Sequence, residues 1–155
     1  MKPKPSCARE GRANPKGIPF LYLATDTDTA LAEVRPWVRA LVSVAEFRLT
    51  HPVKTVNCTS DGYFGAGDDE EGVWAAINEA FAQPVNPSDD VADYVPTQVL
   101  AELFKVHGLD GIGYRSSVGK GQNIAIFDPT LAEPVSFMVF EVQSVSLTAD
   151  KVGYP

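Results

Sequence analysis

Cysteine and histidine are scarce: the 155 residues hold two of each, Cys7, Cys58, His51 and His107. The cysteines are too few and too far apart for a disulfide framework, and the set offers no zinc-ligand spacing. Both thiols are expected reduced, and no metal site is expected. Positive charge is also in short supply, with 13 Lys and Arg against 20 Asp and Glu and a net charge of -7. A surface that neutralises a nucleic-acid backbone needs clustered cations, so direct nucleic-acid binding is not expected, and any phosphate must be met locally by a few residues. No apolar run is long enough to span a bilayer, and Met1-Lys-Pro-Lys-Pro lacks the apolar core of a secretory signal. The expectation is no membrane association and a cytoplasmic site of action. Without such a signal the glycosylation match Asn57-Cys-Thr carries little weight.

What remains is an ordinary globular balance, 45% apolar and 21% charged, in a chain long enough for one domain with a real core. Residues 1–19 are rich in Lys, Arg, Pro and Gly and read as loop, with 1–10 expected as a flexible tail and 11–150 as the domain. Phe20-Leu-Tyr-Leu-Ala predicts a strand; Asp26 to Asp28 offer helix caps, and Thr29 to Val34 continue as a helix stopped by Pro36. Alternation over Ala40 to Leu49 and the run Val53 to Cys58 predict two more strands. Asp61 to Gly72 reads as a Gly-rich acidic loop, followed by a helix carrying Val73, Trp74, Ile77 and Phe81 on one face. Pro84 to Asp93 is turn-rich. Pro96 then opens a helix with Val99, Leu100, Leu103 and Phe104 on one face, closed by Gly108. Gly111 to Tyr114, Asn123 to Phe127 and Val135 to Leu147 predict strands. Trp37 and Trp74 fall on apolar helical faces and are expected in the core.

Three places could carry chemistry. The loop Gly11-Arg12-Ala13-Asn14-Pro15-Lys16-Gly17 is either a solvated surface loop or a diphosphate clamp, since the planar fork of arginine captures phosphate oxygens bidentately and loop amides can add to it. Glu33 shares a helical face with Ala30, Val34 and Trp37, so a carboxylate points where the helix packs. It is either paired with Arg35, Arg39 or Arg12 for structural reasons or held for function. Asp110-Gly-Ile-Gly-Tyr-Arg-Ser-Ser-Val-Gly-Lys-Gly-Gln-Asn runs from a strand into a loop. It is not a P-loop, because five residues instead of four separate Gly113 from Gly119, Gly121 follows the lysine, and a strand-like run comes next. It reads either as a hairpin turn or as a place where Tyr114, Ser116 and Ser117 hold a sugar or amide. Asp68-Asp-Glu-Glu71 lacks the alternating spacing of a calcium loop and is expected solvated, favouring the N-terminus of the next helix.

Taken in order, Gly11-Arg-Ala-Asn-Pro-Lys-Gly-Ile-Pro-Phe-Leu-Tyr-Leu-Ala, Thr29-Ala-Leu-Ala-Glu-Val-Arg-Pro, Tyr94 to Leu100, and Gly111-Ile-Gly-Tyr-Arg-Ser-Ser with Gly121-Gln-Asn-Ile-Ala-Ile-Phe-Asp closely resemble the RES domain family, from about Arg9 to Pro129. The resemblance implies a single α+β domain with an ADP-ribosyltransferase-like arrangement of mixed and antiparallel sheets and short helices. It implies an enzyme whose substrate is NAD, with no further cofactor, cleaving the bond between nicotinamide and ribose. It also implies the toxin of a bacterial toxin-antitoxin pair, with an antitoxin or immunity protein as partner.

Carried onto this chain, the family's arginine is Arg12, its first-strand tyrosine Tyr22, its glutamate Glu33 and its serine Ser116, with Ser117 the near alternative. Lys16, Tyr114 and Asn123 are second-rank binding candidates. Members commonly have a further arginine upstream of the Gly-Arg-x-Asn motif; only Met1 to Glu10 precede it here, and Arg9 is the substitute on offer. The acceptor decides the reaction: water makes a glycohydrolase, phosphate an NAD phosphorylase, and a protein side chain an ADP-ribosyltransferase. A degenerate module that binds nucleotide or antitoxin without turnover is the alternative outside enzymes. A secreted effector would share these sequence features with an intracellular toxin.

Overall fold

The computed structural model describes residues 2–59, 68–84, 91–151 and 153. The acidic loop expected before Gly72 falls partly on 60–67, and the turn after Pro84 falls on 85–90; those stretches lie outside the described residues. Chain order is β1 (Leu21–Ala24), α1 (Thr27–Glu33), β2 (Leu41–Leu49), β3 (Thr55–Asn57), α2 (Asp68–Ala82), α3 (Val95–Val106), β4 (Gly111–Arg115), β5 (Gln122–Ile126) and β6 (Ala132–Glu141). Single 3-10 turns occur at Pro5–Cys7, Val91–Tyr94 and Pro129–Leu131. Helices and strands are mixed in one α+β domain with two sheets.

Four strands form the main sheet in the order β1-β5-β4-β3, antiparallel except for the parallel pair β3 and β4. β2 and β6 form a separate antiparallel ribbon with a bulge between Glu46 and Phe47. The two-residue period of a strand sorts the main sheet into two faces. Ala125 stands opposite Tyr22 and Ile112, and Asn123 opposite Ala24 and Tyr114, so these side chains share one face. That face packs under α2 and α3, where Ile112, Tyr114, Ala125 and Phe127 join Phe20, Phe81 and Ala101 in the larger core. The opposite face carries Leu21 and Ile126 into a smaller core with Ala132, flanked by Leu23, Phe47, Val53 and Ile124. Tyr22, Tyr114 and Asn123 are polar side chains on the face under the helices.

Local chemistry accounts for the helix ends. Asp26 caps α1 by accepting from the Thr29 amide at 2.8 Å. Pro96 sits in the first turn of α3, and Gly108, at φ 79, lets the chain turn away after it. α2 begins at Asp68, so the last part of the stretch expected as a loop up to Gly72 is already helical.

Two expectations are corrected. Trp37 is 76% exposed: α1 stops at Glu33 ahead of Pro36, so the helical face that would have turned Trp37 inward does not extend that far. Trp74 does pack against the larger core. The last strand covers Ala132–Glu141 and does not reach Leu147, because pairing with β2 ends where Leu41 meets Glu141.

The β4 to β5 loop is clamped onto the start of α1. The Thr29 hydroxyl accepts from the Gly121 amide at 2.9 Å, that of Thr25 accepts from the Gln122 amide at 3.0 Å, and Asp26 accepts from the Thr29 hydroxyl at 2.9 Å. No side chain fits in this contact: a Cβ on Gly121 would meet Asp26 Oδ2 at 2.0 Å and Thr29 Oγ1 at 2.6 Å. Gly121→Ala is therefore expected to cost about 1–3 kcal/mol in urea unfolding. Gly72→Ala, on α2 with open space around its Cβ, is expected to gain about 0.5–1 kcal/mol. Equal stability for the two variants would contradict the clamp.

Candidate functional site

A cleft of about 550 Å³ opens where the Gly11–Arg12 loop, β1, the end of α1, the end of α2 and the tips of β4 and β5 converge. Its walls include Arg12, Tyr22, Glu33, Tyr114, Ser117 and Asn123, which are thus brought to one place from across the chain. Arg35 also lines it.

Glu33 is the last residue of α1. Its Oε1 accepts two hydrogen bonds, from Ser116 Oγ at 2.7 Å and from Asn123 Nδ2 at 2.6 Å. No ion pair to Glu33 occurs among the described residues, so the pairing with Arg35, Arg39 or Arg12 considered above is not formed. Arg39 pairs instead with Glu141 at 3.8 Å. The carboxylate is held by neutral donors on one oxygen, and Oε2 makes no hydrogen bond among the described residues. That arrangement orients a full negative charge without cancelling it.

Ser116 and Ser117 separate into different positions. Ser116 is 5% exposed; its proton goes to Glu33, and its oxygen accepts from the amides of Val118 at 3.2 Å and Gly119 at 2.8 Å. One donor and two lone pairs are all that a hydroxyl has, so Ser116 is fully used inside the protein and acts on Glu33. Ser117 is the serine that lines the cleft.

Arg12 is not a solvated loop residue: it is buried in the frame of the cleft, whose wall it lines. It is 9% exposed, donates from Nε to the Gln83 carbonyl at 3.0 Å and from its terminal nitrogen to the Pro84 carbonyl at 3.1 Å, and lies over the Tyr94 ring at 4.9 Å. The carbonyls just past α2 carry the negative end of its dipole, which a guanidinium neutralises. Asn14, 2% exposed, organises the same loop by donating to the carbonyls of Arg9, Pro15 and Ile18. Gln98 on α3 fastens it from below, donating to the Gly11 carbonyl at 3.0 Å and the Asn14 carbonyl at 3.2 Å. Lys16 is exposed and absent from the cleft wall, because the turn at Pro15 to Gly17, with Gly17 at φ 87, carries it away. Arg9 lines a separate hollow of about 290 Å³ on the other side of Gly11.

The two tyrosines differ. The Tyr22 hydroxyl donates to Asn14 Oδ1 at 2.6 Å and accepts from the Ala13 amide at 3.2 Å, leaving the ring, with the residue 43% exposed, toward the cleft. Burial of its hydroxyl end pushes its pKa from 10.0 up to about 12, against backbone hydrogen bonds at Ala13 and Asn14 that lower it. Tyr114 is 7% exposed and packs on Phe81 at 5.8 Å between ring centroids. Burial first, then the negative charge of an ionised Tyr22 and of Glu33, push its pKa upward, so it holds its proton.

Arg35 was considered in the sequence only as a partner for Glu33. It sits at φ 45, a left-handed conformation that costs a side-chain-bearing residue about 1–2 kcal/mol. The signal available was Pro36, which disfavours continued helix at the preceding residue. Asn123, a second-rank binding candidate in the sequence, lines the cleft and also donates to Glu33.

A small α+β domain with a carboxylate oriented in an aromatic-walled cleft, fed by a Gly-Arg-x-Asn loop and a Ser-bearing hairpin, is the class that fold and site define. The family model for the RES domain matches residues 3–150, and the chain belongs to that family. No curated protein matches the chain. Among the described residues no helix is long and apolar enough to cross a membrane, and no group of His, Cys, Asp and Glu could hold a metal ion.

The buried hydroxyl of Tyr22 sets a pH dependence. Its proton is released at 10.0 in the unfolded chain and at about 12 in the folded one, so its contribution to stability is intact below 10.0 and is lost as pH rises toward about 12. Burial of Cys58, which moves from 9.0 to about 12, acts in the same direction. Tyr22→Phe is expected to flatten the alkaline fall in the urea midpoint; an unchanged slope would show that Tyr22 does not hold its proton through that range.

Proposed function

We propose that this protein consumes NAD by cleaving the bond between nicotinamide and ribose, as a glycohydrolase or phosphorylase, and that it is the toxin of a toxin-antitoxin pair with an antitoxin as protein partner. Membership of the RES domain family supports the reading in general. The observation that carries it is the Glu33 carboxylate, fixed through one oxygen by Ser116 and Asn123 while its other oxygen accepts no hydrogen bond from the described residues.

The chemistry follows from charge. As the C1′–N bond breaks, its electron pair moves onto the nicotinamide nitrogen, nicotinamide leaves neutral, and positive charge builds on the ribose. A carboxylate fixed beside that carbon stabilises the transition state more than the ground state, and it needs no reorganisation because two donors have already set its orientation. The Tyr22 ring and Ser117 supply a flat wall and a hydroxyl for the nicotinamide and ribose. Water attacking C1′ forms a C–O bond and releases one proton, giving ADP-ribose; inorganic phosphate gives ADP-ribose 1″-phosphate. A protein acceptor would make an ADP-ribosyltransferase by the same first step. Tyr114 and Asn123 belong to the binding wall, Asn123 chiefly through Glu33.

One observation favours a second reading, a nucleotide-binding module without turnover: Arg12 already serves the carbonyls of Gln83 and Pro84. Binding of ADP-ribose without consumption of NAD would select it.

Purified protein incubated with NAD, with and without phosphate, and products identified by mass test the proposal and name the acceptor. Glu33→Gln is expected to lose at least about 10²–10³-fold in turnover while keeping the wild-type circular dichroism. Ser116→Ala and Asn123→Ala are each expected to lose about ten- to a hundredfold, the worth of a hydrogen bond to a charged group. Retained turnover in Glu33→Gln would remove the mechanism.

A further inference from the structure

Two arginines line the cleft among the described residues, Arg12 and Arg35. Arg12 is bonded to two backbone carbonyls and stacked on Tyr94, so withdrawing it toward a ligand would leave the end of α2 without its cation. Arg35 is in the opposite condition. Its side chain is exposed and makes no hydrogen bond or ion pair among the described residues.

The backbone of Arg35 makes its identity costly. Its amide donates to the Ala32 carbonyl at 3.0 Å as the chain leaves α1, and its φ of 45 is a conformation in which glycine is the favoured occupant. As far as the turn is concerned, the arginine side chain brings only strain. Arg39 shares the left-handed conformation, at φ 69, but pairs with Glu141 and does not line the cleft; at Arg35 the strain falls on the cleft wall, where strained residues often serve a ligand. Arg35 also lies two positions beyond Glu33, so cation and carboxylate stand together on one wall of the cleft. A nucleotide whose C1′ meets Glu33 brings its 5′-phosphate close to the same wall.

We propose that Arg35 is the cation that grips the diphosphate of the nucleotide, and that Arg12 is a positioning residue that shapes the cleft by tying its loop to the end of α2. This rests on the reading of the substrate as NAD. A planar guanidinium suits two phosphate oxygens at once, which a nucleotide diphosphate presents.

The test is calorimetry with ADP-ribose and with nicotinamide riboside, which has no phosphate, on the wild type, Arg35→Gly and Arg35→Lys. Glycine suits the left-handed turn, so Arg35→Gly is expected to keep or raise the thermal midpoint. Its ADP-ribose Kd is expected to rise about ten- to a hundredfold with nicotinamide riboside binding unchanged, and Arg35→Lys to recover part of the loss. Unchanged ADP-ribose affinity in Arg35→Gly, or equal loss of both ligands, would overturn the assignment. A wild-type protein that binds neither ligand would remove the nucleotide reading and this assignment with it.

Discussion

Glu33 Oε1, caught between Ser116 and Asn123, is the contact on which the site depends. A glutamate at the exposed end of a short helix would ordinarily sweep through many rotamers, at an entropic cost to any function that needs it still. Two short hydrogen bonds from the far end of the chain remove that freedom without bringing a countercharge. Each donor is itself fixed: Asn123 by its place in β5, Ser116 by the amides of Val118 and Gly119. The Asp26, Thr29 and Gly121 contacts then hold the same hairpin against the beginning of α1, so helix and hairpin are joined at both ends.

The second wall is built by a different device. Buried polar groups are tolerated only when their hydrogen bonds are satisfied, and the Gly11 to Gly17 loop meets that condition with its own carbonyls, with Gln98 and with the Tyr22 hydroxyl. The side chain of Arg12 joins this loop to the end of α2 across the mouth of the cleft. A cation that the sequence offered to a ligand is tied here to the frame, while the residue still lines the cleft along with Arg35.

Much of the fold was legible because it follows from short-range chemistry. Pro36 and Gly108 end helices, Asp26 begins one, and the β-friendly runs Phe20 to Ala24, Gly111 to Tyr114 and Asn123 to Phe127 fall on β1, β4 and β5 to within a residue at each end. The separation into two sheets was not, since β2 and β6 are far apart in the chain, Leu41 pairing with Glu141, and nothing local encodes that register. Trp37 differs for a local reason: the helical stripe does not extend past Glu33, ahead of Pro36. In the site, the residue types of Glu33, Ser116 and Asn123 were readable and the family resemblance supplied their grouping. That Ser116 spends its hydroxyl on Glu33 while Ser117 meets the cleft depends on which way a hairpin turns, and adjacent serines look alike in one dimension.

The most direct measurement is a crystal structure of the Glu33→Gln variant soaked with NAD. The C1′ atom of the nicotinamide ribose is predicted to lie against the side chain at position 33, with Ser116 still bonded to that side chain and not to the ligand. NAD seated outside the cleft, or Ser116 turned to hold the nucleotide directly, would contradict the central claim.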